Sequence, residues 1–149
     1  MKMTADHLVP FEAIPMFDFV FYISAGTLAF GVGLGVKGMF DPMWAGRLVR
    51  LQPENGQPEG YSEFRATFGG MFLGLHLSAL AVMVFCGEEA GIAACSVLAA
   101  GWLFTALGRY LSYSMDSDTQ HSHVVRSVAI EVIIGLAIAV WPITSVMKL

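Results

Sequence analysis

The chain has 149 residues, of which 56% are hydrophobic and only 13% charged, with a formal net charge of −4. Soluble domains carry about 25% charged residues, so this composition excludes an ordinary water-soluble fold and points to lipid as the surrounding solvent. Nucleic acid is excluded as a partner as well, because no cationic run or stripe is present to meet a polyanion.

Residues 1–15 form a polar lead-in. It carries Lys2 but also Asp6, His7 and Glu12, and the apolar stretch after it is too long for a signal core, so it reads as retained rather than cleaved. A bilayer core takes about 20 apolar residues as a helix. Four segments meet that length, at about 17–39, 64–85, 91–112 and 124–147. Pro142 is expected to tilt the last span or to end it early. Residues 87–90 are too few for anything but an antiparallel hairpin between the second and third spans. Residues 40–63, with Pro42, Pro53 and Pro58, read as a polar loop, and so do residues 115–123. The expected fold class is therefore all-α: one domain over 1–149, an integral membrane bundle of four transmembrane helices in up-down topology.

Lys37, Arg47, Arg50, Arg65, Arg109 and Arg126 lie on the side of the two long loops, and Lys2 and Lys148 lie on the other with Glu88 and Glu89. The positive-inside rule then puts the long loops in the cytoplasm and both termini in the periplasm of a bacterial inner membrane. Two small-xxx-small pairs, Gly31/Gly35 and Gly70/Gly74 (the latter beside Gly69), predict close helix packing between the first two spans. Gly33, Gly35 and Gly38 fit the spacing G-x-G-x-x-G, but a dinucleotide site needs a strand before that motif and a helix opening at it. Here it lies at the end of an apolar helix, which favours packing. Cys86 and Cys95 flank one short hairpin at unequal depths, so they read as buried free thiols rather than a disulfide.

The informative residues are the charges in or near the spans. Glu63 and Arg65 open the second helix, Arg109 lies near the end of the third and Glu131 near the start of the fourth. Alternating helix directions bring all four toward one face of the membrane, where two acids and two cations can neutralise one another. A charge in hydrocarbon costs at least about 2.5–3.5 kcal/mol, so Glu131 must meet a cation, a proton or a wet cavity. The cluster is either a polar pocket for a head group or solute, or an ion-pair clasp that fixes helix docking. His76 falls near the membrane midplane with no second axial ligand at its depth, so a neutral histidine bonded to a carbonyl, Ser78 or Ser96 is expected rather than haem ligation. Asp116, Asp118, His121 and His123 decorate the last loop. Their spacing lacks the i, i+4 histidine pair of a helical zinc site, so no metal and no cofactor is expected. No Ser-His-Asp, Cys-His or H-E-x-x-H arrangement is present, and no catalytic residue is assigned.

The segment from Tyr61 to Gly70, reading acid-x-Arg-Ala, two residues, then Gly-Gly, resembles the signature of a small bacterial membrane family. Gly108-Arg109-Tyr-Leu-Ser112 followed by Asp116, Glu131 in the last helix, and the Asp41-Pro42 step add to the likeness, which runs from about Phe17 to Trp141. That family is catalogued only as a domain of unknown function, the one numbered 4345, and its general layout is similar to DoxX-like proteins. The resemblance implies a four-helix membrane protein without an assigned activity. The expected function is a non-enzymatic accessory or structural subunit of a bacterial membrane complex, its partners being the lipid bilayer and other subunits or further copies of itself. The alternatives are binding or transport of a lipid head group or small solute at Glu63, Arg65, Arg109 and Glu131, and a redox or haem-linked membrane protein.

Overall fold

The computed structural model describes residues 16–55, 57–116 and 121–147, and so leaves the lead-in, Asp118 and Lys148 outside. The described residues are helical and contain no strand. The elements are α1 (Met16–Phe40), α2 (Pro42–Val49), α3 (Gly60–Phe64), a π-helix (Arg65–Met71), α4 (Phe72–Phe85), α5 (Glu88–Met115) and α6 (His121–Val146). Four continuous rods are long and apolar enough to cross a membrane: Phe19–Phe40, Gly60–Phe85, Glu88–Met115 and Ser122–Val146.

Large apolar side chains such as Phe30, Phe104, Val97 and Ile133 face outward, while the core between the helices is built from Leu28, Ala79, Met83, Cys95, Ala99, Ile138 and Trp141. Lipid tails are as apolar as leucine, so close fit rather than water exclusion holds such helices together. Accordingly the core favours small residues, and the bulk lies on the lipid side.

α4 lies between α1 and α5, and α6 closes the ring against α5 and α1. Along the α1–α4 seam, Gly38, Gly35 and Gly31 meet Phe68, Leu73 and His76 in turn. A Cβ on Gly35 would stand 2.4 Å from the Leu73 backbone nitrogen, and one on Gly69 would stand 2.6 Å from the Met39 Cα. Gly74 has nothing within 4 Å, and the nearest atom to a Cβ on Gly70 is 3.8 Å away in its own helix. The second span thus approaches α1 through Gly69, not through the Gly70/Gly74 pair, because the π-helix turns Gly69 onto the seam. Cys95 is buried, but Cys86 is exposed at the end of α4, and both thiols are free.

Of the two outcomes expected of Pro142 one does not occur, and the reading of residues 40–63 needs correcting. Pro142 does not end the last helix, which continues to Val146. Proline has no N–H to give to the carbonyl four residues back, here Ile138. Ser24 of α1 reaches across to fill that gap. Its hydroxyl proton is shared between the carbonyl oxygens of Ile138 at 3.0 Å and Ala137 at 3.1 Å, and its oxygen accepts the Trp141 N–H at 3.3 Å.

The second correction concerns 40–63, which is not all loop, because α2 begins directly after α1. Asp41 caps α2 by accepting the Trp44 N–H at 2.9 Å, and Pro42 occupies the first turn, where its missing N–H costs nothing. The helix stops at Arg50, which takes the left-handed conformation with φ 60°.

A polar cleft at one end of the bundle

Glu131 sits on α6 with its side chain 8% exposed. On the facing side of α5, Arg109 donates from Nε to Glu131 Oε1 at 2.5 Å. The second carboxylate oxygen, Oε2, is buried and has no hydrogen-bond partner among the described residues. An ionised carboxylate is a four-site acceptor, and leaving half of it dry is costly. The pair therefore ties α5 to α6 and keeps one acceptor unspent.

Arg109 is only half-buried, because it also lines an open cleft of about 190 Å³. Leu48, Val49 and Arg50, from the end of α2, form one wall. His123, Val124 and Ser127, from the first turns of α6, form the other. Among the described residues the lining holds two arginines, a histidine and a hydroxyl. Arg126 stands beside it, with Nη2 3.0 Å from His123 Nδ1. An arginine always donates, so the imidazole nitrogen accepts and His123 is neutral in this arrangement.

The four-charge cluster expected around Glu131 resolves differently. Arg109 and Glu131 meet, whereas Arg65 donates from Nη1 to the Met39 carbonyl in the last turn of α1, at 2.5 Å. A cation there satisfies an orphan carbonyl and the negative end of the helix dipole. Glu63 is exposed in α3. The physical reason is lateral position: the π-helix packs on α1 and α3 packs beside α2, while Arg109 and Glu131 belong to the α5–α6 pair.

His76 is buried in the middle of α4, and both ring nitrogens are engaged. Nδ1 lies 2.8 Å from the Phe72 carbonyl, and Nε2 accepts the Trp102 indole N–H at 3.1 Å. These bonds select the neutral Nδ1–H tautomer. The partners are thus a carbonyl and Trp102, not Ser78 or Ser96. Phe72 stacks on the ring with centroids 4.9 Å apart, and Gly31 lies against its edge. Among the described residues, no three His, Cys, Asp or Glu side chains gather as metal ligands. Asp118 and the side chain of His121, two of the loop residues considered for that role, lie outside the described set.

The cleft residues Arg50 and Ser127 carry no sequence motif. His123 had drawn attention only as a metal candidate.

Four apolar rods, a dry small-residue core and one polar end define an all-α, multi-pass membrane protein. Within that class the chain belongs to the family described as Domain of unknown function (DUF4345), which matches residues 20–142. No curated protein and no solved structure matches the chain.

Proposed function

We propose that this chain is a non-enzymatic, ligand-binding subunit of a bacterial membrane complex, and that its ligand is an anion of the phosphate class held in the cleft between α2 and α6. The observation that carries the reading is the double attachment of Arg109. Its Nε is committed to a buried carboxylate, which fixes the guanidinium plane, and the rest of the group lines the cleft. An arginine pre-oriented in this way loses little entropy on meeting an oxyanion, and charge-assisted bonds to phosphate are about twice as strong as neutral ones. Ser127 in the same lining adds a hydroxyl donor.

In this reading the bundle runs up-down through the inner membrane with its cleft on the cytoplasmic side and both termini in the periplasm, as the excess of Lys and Arg at that end favours. The Arg109–Glu131 pair serves two purposes, docking α5 on α6 and aiming a cation.

The test is thermal melting of the full-length protein in mild detergent, with inorganic phosphate and with short-chain phosphatidate as separate probes and short-chain diacylglycerol as the neutral control. Both anions should raise the melting temperature and the control should not. Ser127→Ala should weaken the response while the unliganded protein melts as before. An equal response in the variant, or none in the wild type, overturns the proposal.

A further inference from the structure

We infer that α2 and the turn leading to α3 hold a second ligand site, one for a small organic carboxylate, with its carboxyl group on Arg47 and its apolar body over Phe64 and Pro53. The site is separate from the cleft at Arg109 and shares no lining residue with it.

The backbone here is folded back on itself. α2 stops at Arg50, and the Leu51 N–H returns to the Gly46 carbonyl at 3.0 Å. Gly46 allows that return, because a Cβ there would stand 2.7 Å from the Leu51 carbonyl oxygen. The chain then turns between Glu54 and Gln57, whose N–H donates to the Glu54 carbonyl at 3.0 Å. Pro53 rests against the start of α3, where a Cβ on Gly60 would come 2.8 Å from the proline ring. These contacts leave an open pocket of about 320 Å³ between α2 and α3. That is the small end of the range that ligand sites occupy.

Three segments supply the lining. Gly46 and Arg47 come from α2, Gln52, Pro53 and Asn55 from the turn, and Tyr61 and Phe64 from α3, where a spacing of three puts them on one face. Phe64 is buried and forms the floor. Among the described lining residues, Arg47 carries the one formal charge. Neither its guanidinium nor the Tyr61 hydroxyl has a hydrogen-bond or ion-pair partner among the described residues. Glu54, the acid on this turn, has its carboxylate engaged by Gln57 Nε2 at 3.1 Å.

The donor set fixes the ligand class. A guanidinium presents a planar fork of N–H groups that fits a carboxylate with two parallel bonds. One cation matches the single charge of a carboxylate, whereas a phosphate monoester carries roughly 1.5–2 negative charges and calls for more. Tyr61 and the amides of Gln52 and Asn55 add neutral donors. Phe64, Pro53 and Leu51 offer apolar surface, so an acid with an apolar body buries more here than acetate does.

Equilibrium dialysis of radiolabelled phenylacetate into the full-length protein, with matched empty micelles on the other side, measures binding free of detergent partition. The wild type should bind saturably. Unlabelled phenylacetate should displace the label, and neither benzyl alcohol nor inorganic phosphate at the same concentration should. Arg47→Gln should weaken binding about tenfold or more, as loss of a charge-assisted bond does, and Arg47→Lys should recover part of it. Tyr61→Phe should weaken it about threefold, and decides the matter if Arg47→Gln fails to fold. Ser127→Ala, in the cleft, should leave it unchanged.

No saturable binding by the wild type, or equal affinity in the Arg47→Gln and Tyr61→Phe variants, overturns the inference. Displacement by benzyl alcohol would show a pocket indifferent to charge, displacement by phosphate a general oxyanion site, and a loss in Ser127→Ala a ligand seated in the cleft. Each of these overturns it as well. The cleft and the pocket answer to different ligands and different variants, so either can fail alone.

Discussion

Ser24 on α1 donates to the Ile138 carbonyl on α6, the acceptor that Pro142 leaves without its helical partner. A backbone carbonyl inside a membrane has no water to turn to, so the missing bond has to be replaced from a neighbouring helix. Ser24→Ala should destabilise the protein by about 1–2 kcal/mol, in the range found for hydrogen bonds between membrane helices. Pro142→Ala restores the Ile138 bond within α6 and should recover most of that loss in the double variant. Denaturing-detergent titration of the four proteins measures the coupling.

Arg109→Ala strands Glu131 with neither of its oxygens paired. Breaking a buried ion pair costs roughly 3–5 kcal/mol, and the lower end applies because Arg109 is itself only half-buried. Glu131→Gln keeps an acceptor for Arg109 and should cost less. The pair of variants should therefore rank Arg109→Ala below Glu131→Gln in detergent melting. The reverse order would mean that Glu131 does not carry a charge.

Gly31 and His76 are sized to each other. A Cβ on Gly31 would fall 1.9 Å from His76 Cδ2, well inside contact distance. Gly31→Ala should cost at least about 1–3 kcal/mol, as overpacking does. His76→Ala alone should also destabilise, because it leaves the Trp102 indole without its acceptor. Adding His76→Ala to Gly31→Ala should cost much less than it does in the wild type, since the cavity now receives the methyl group. Strict additivity in a double-mutant cycle would contradict the contact.

Glycines from the two small-xxx-small pairs should respond in opposite directions. Gly35→Ala drives a methyl into the Leu73 backbone, which cannot rotate away, so α1 and α4 must separate. Gly74→Ala meets open space and gains helix propensity of up to about 1 kcal/mol. Unfolding curves should show the first variant strongly destabilised and the second unchanged or improved.

The four spans were legible in the sequence because their length and apolarity are dictated by the bilayer itself. The height of a charge was legible too, since a helix rises a fixed 1.5 Å per residue, and Arg109 and Glu131 stand at matching heights from opposite ends of their helices. Direction around the helix was not. Arg65 has a suitable height but lies on the α1 side, and only the packing order reveals that. α2 was hidden by its eight residues and by Pro42, although an Asp-Pro step is a helix start as well as a loop mark. Nothing in the spelling of residues 65–71 announces a π-helix, because its wider turns come from contact with α1 rather than from local preference.

That π-helix has an arithmetic consequence. Each π-type insertion holds one residue more than the α-helical path it replaces, and one residue is roughly 100° of rotation. Removing a single residue from Arg65–Met71 would let the rod rezip as continuous α-helix with both flanks close to their present phase, because the π-helix already absorbs the extra residue. If the stretch rezipped as α-helix with all its residues kept and α4 stayed anchored by His76, the lower part would slip in phase, carrying Arg65 off the Met39 carbonyl and Gly69 off the α1 seam. The count of residues in this stretch is thus itself structural information, a spacer that dials the angle between two halves of one rod.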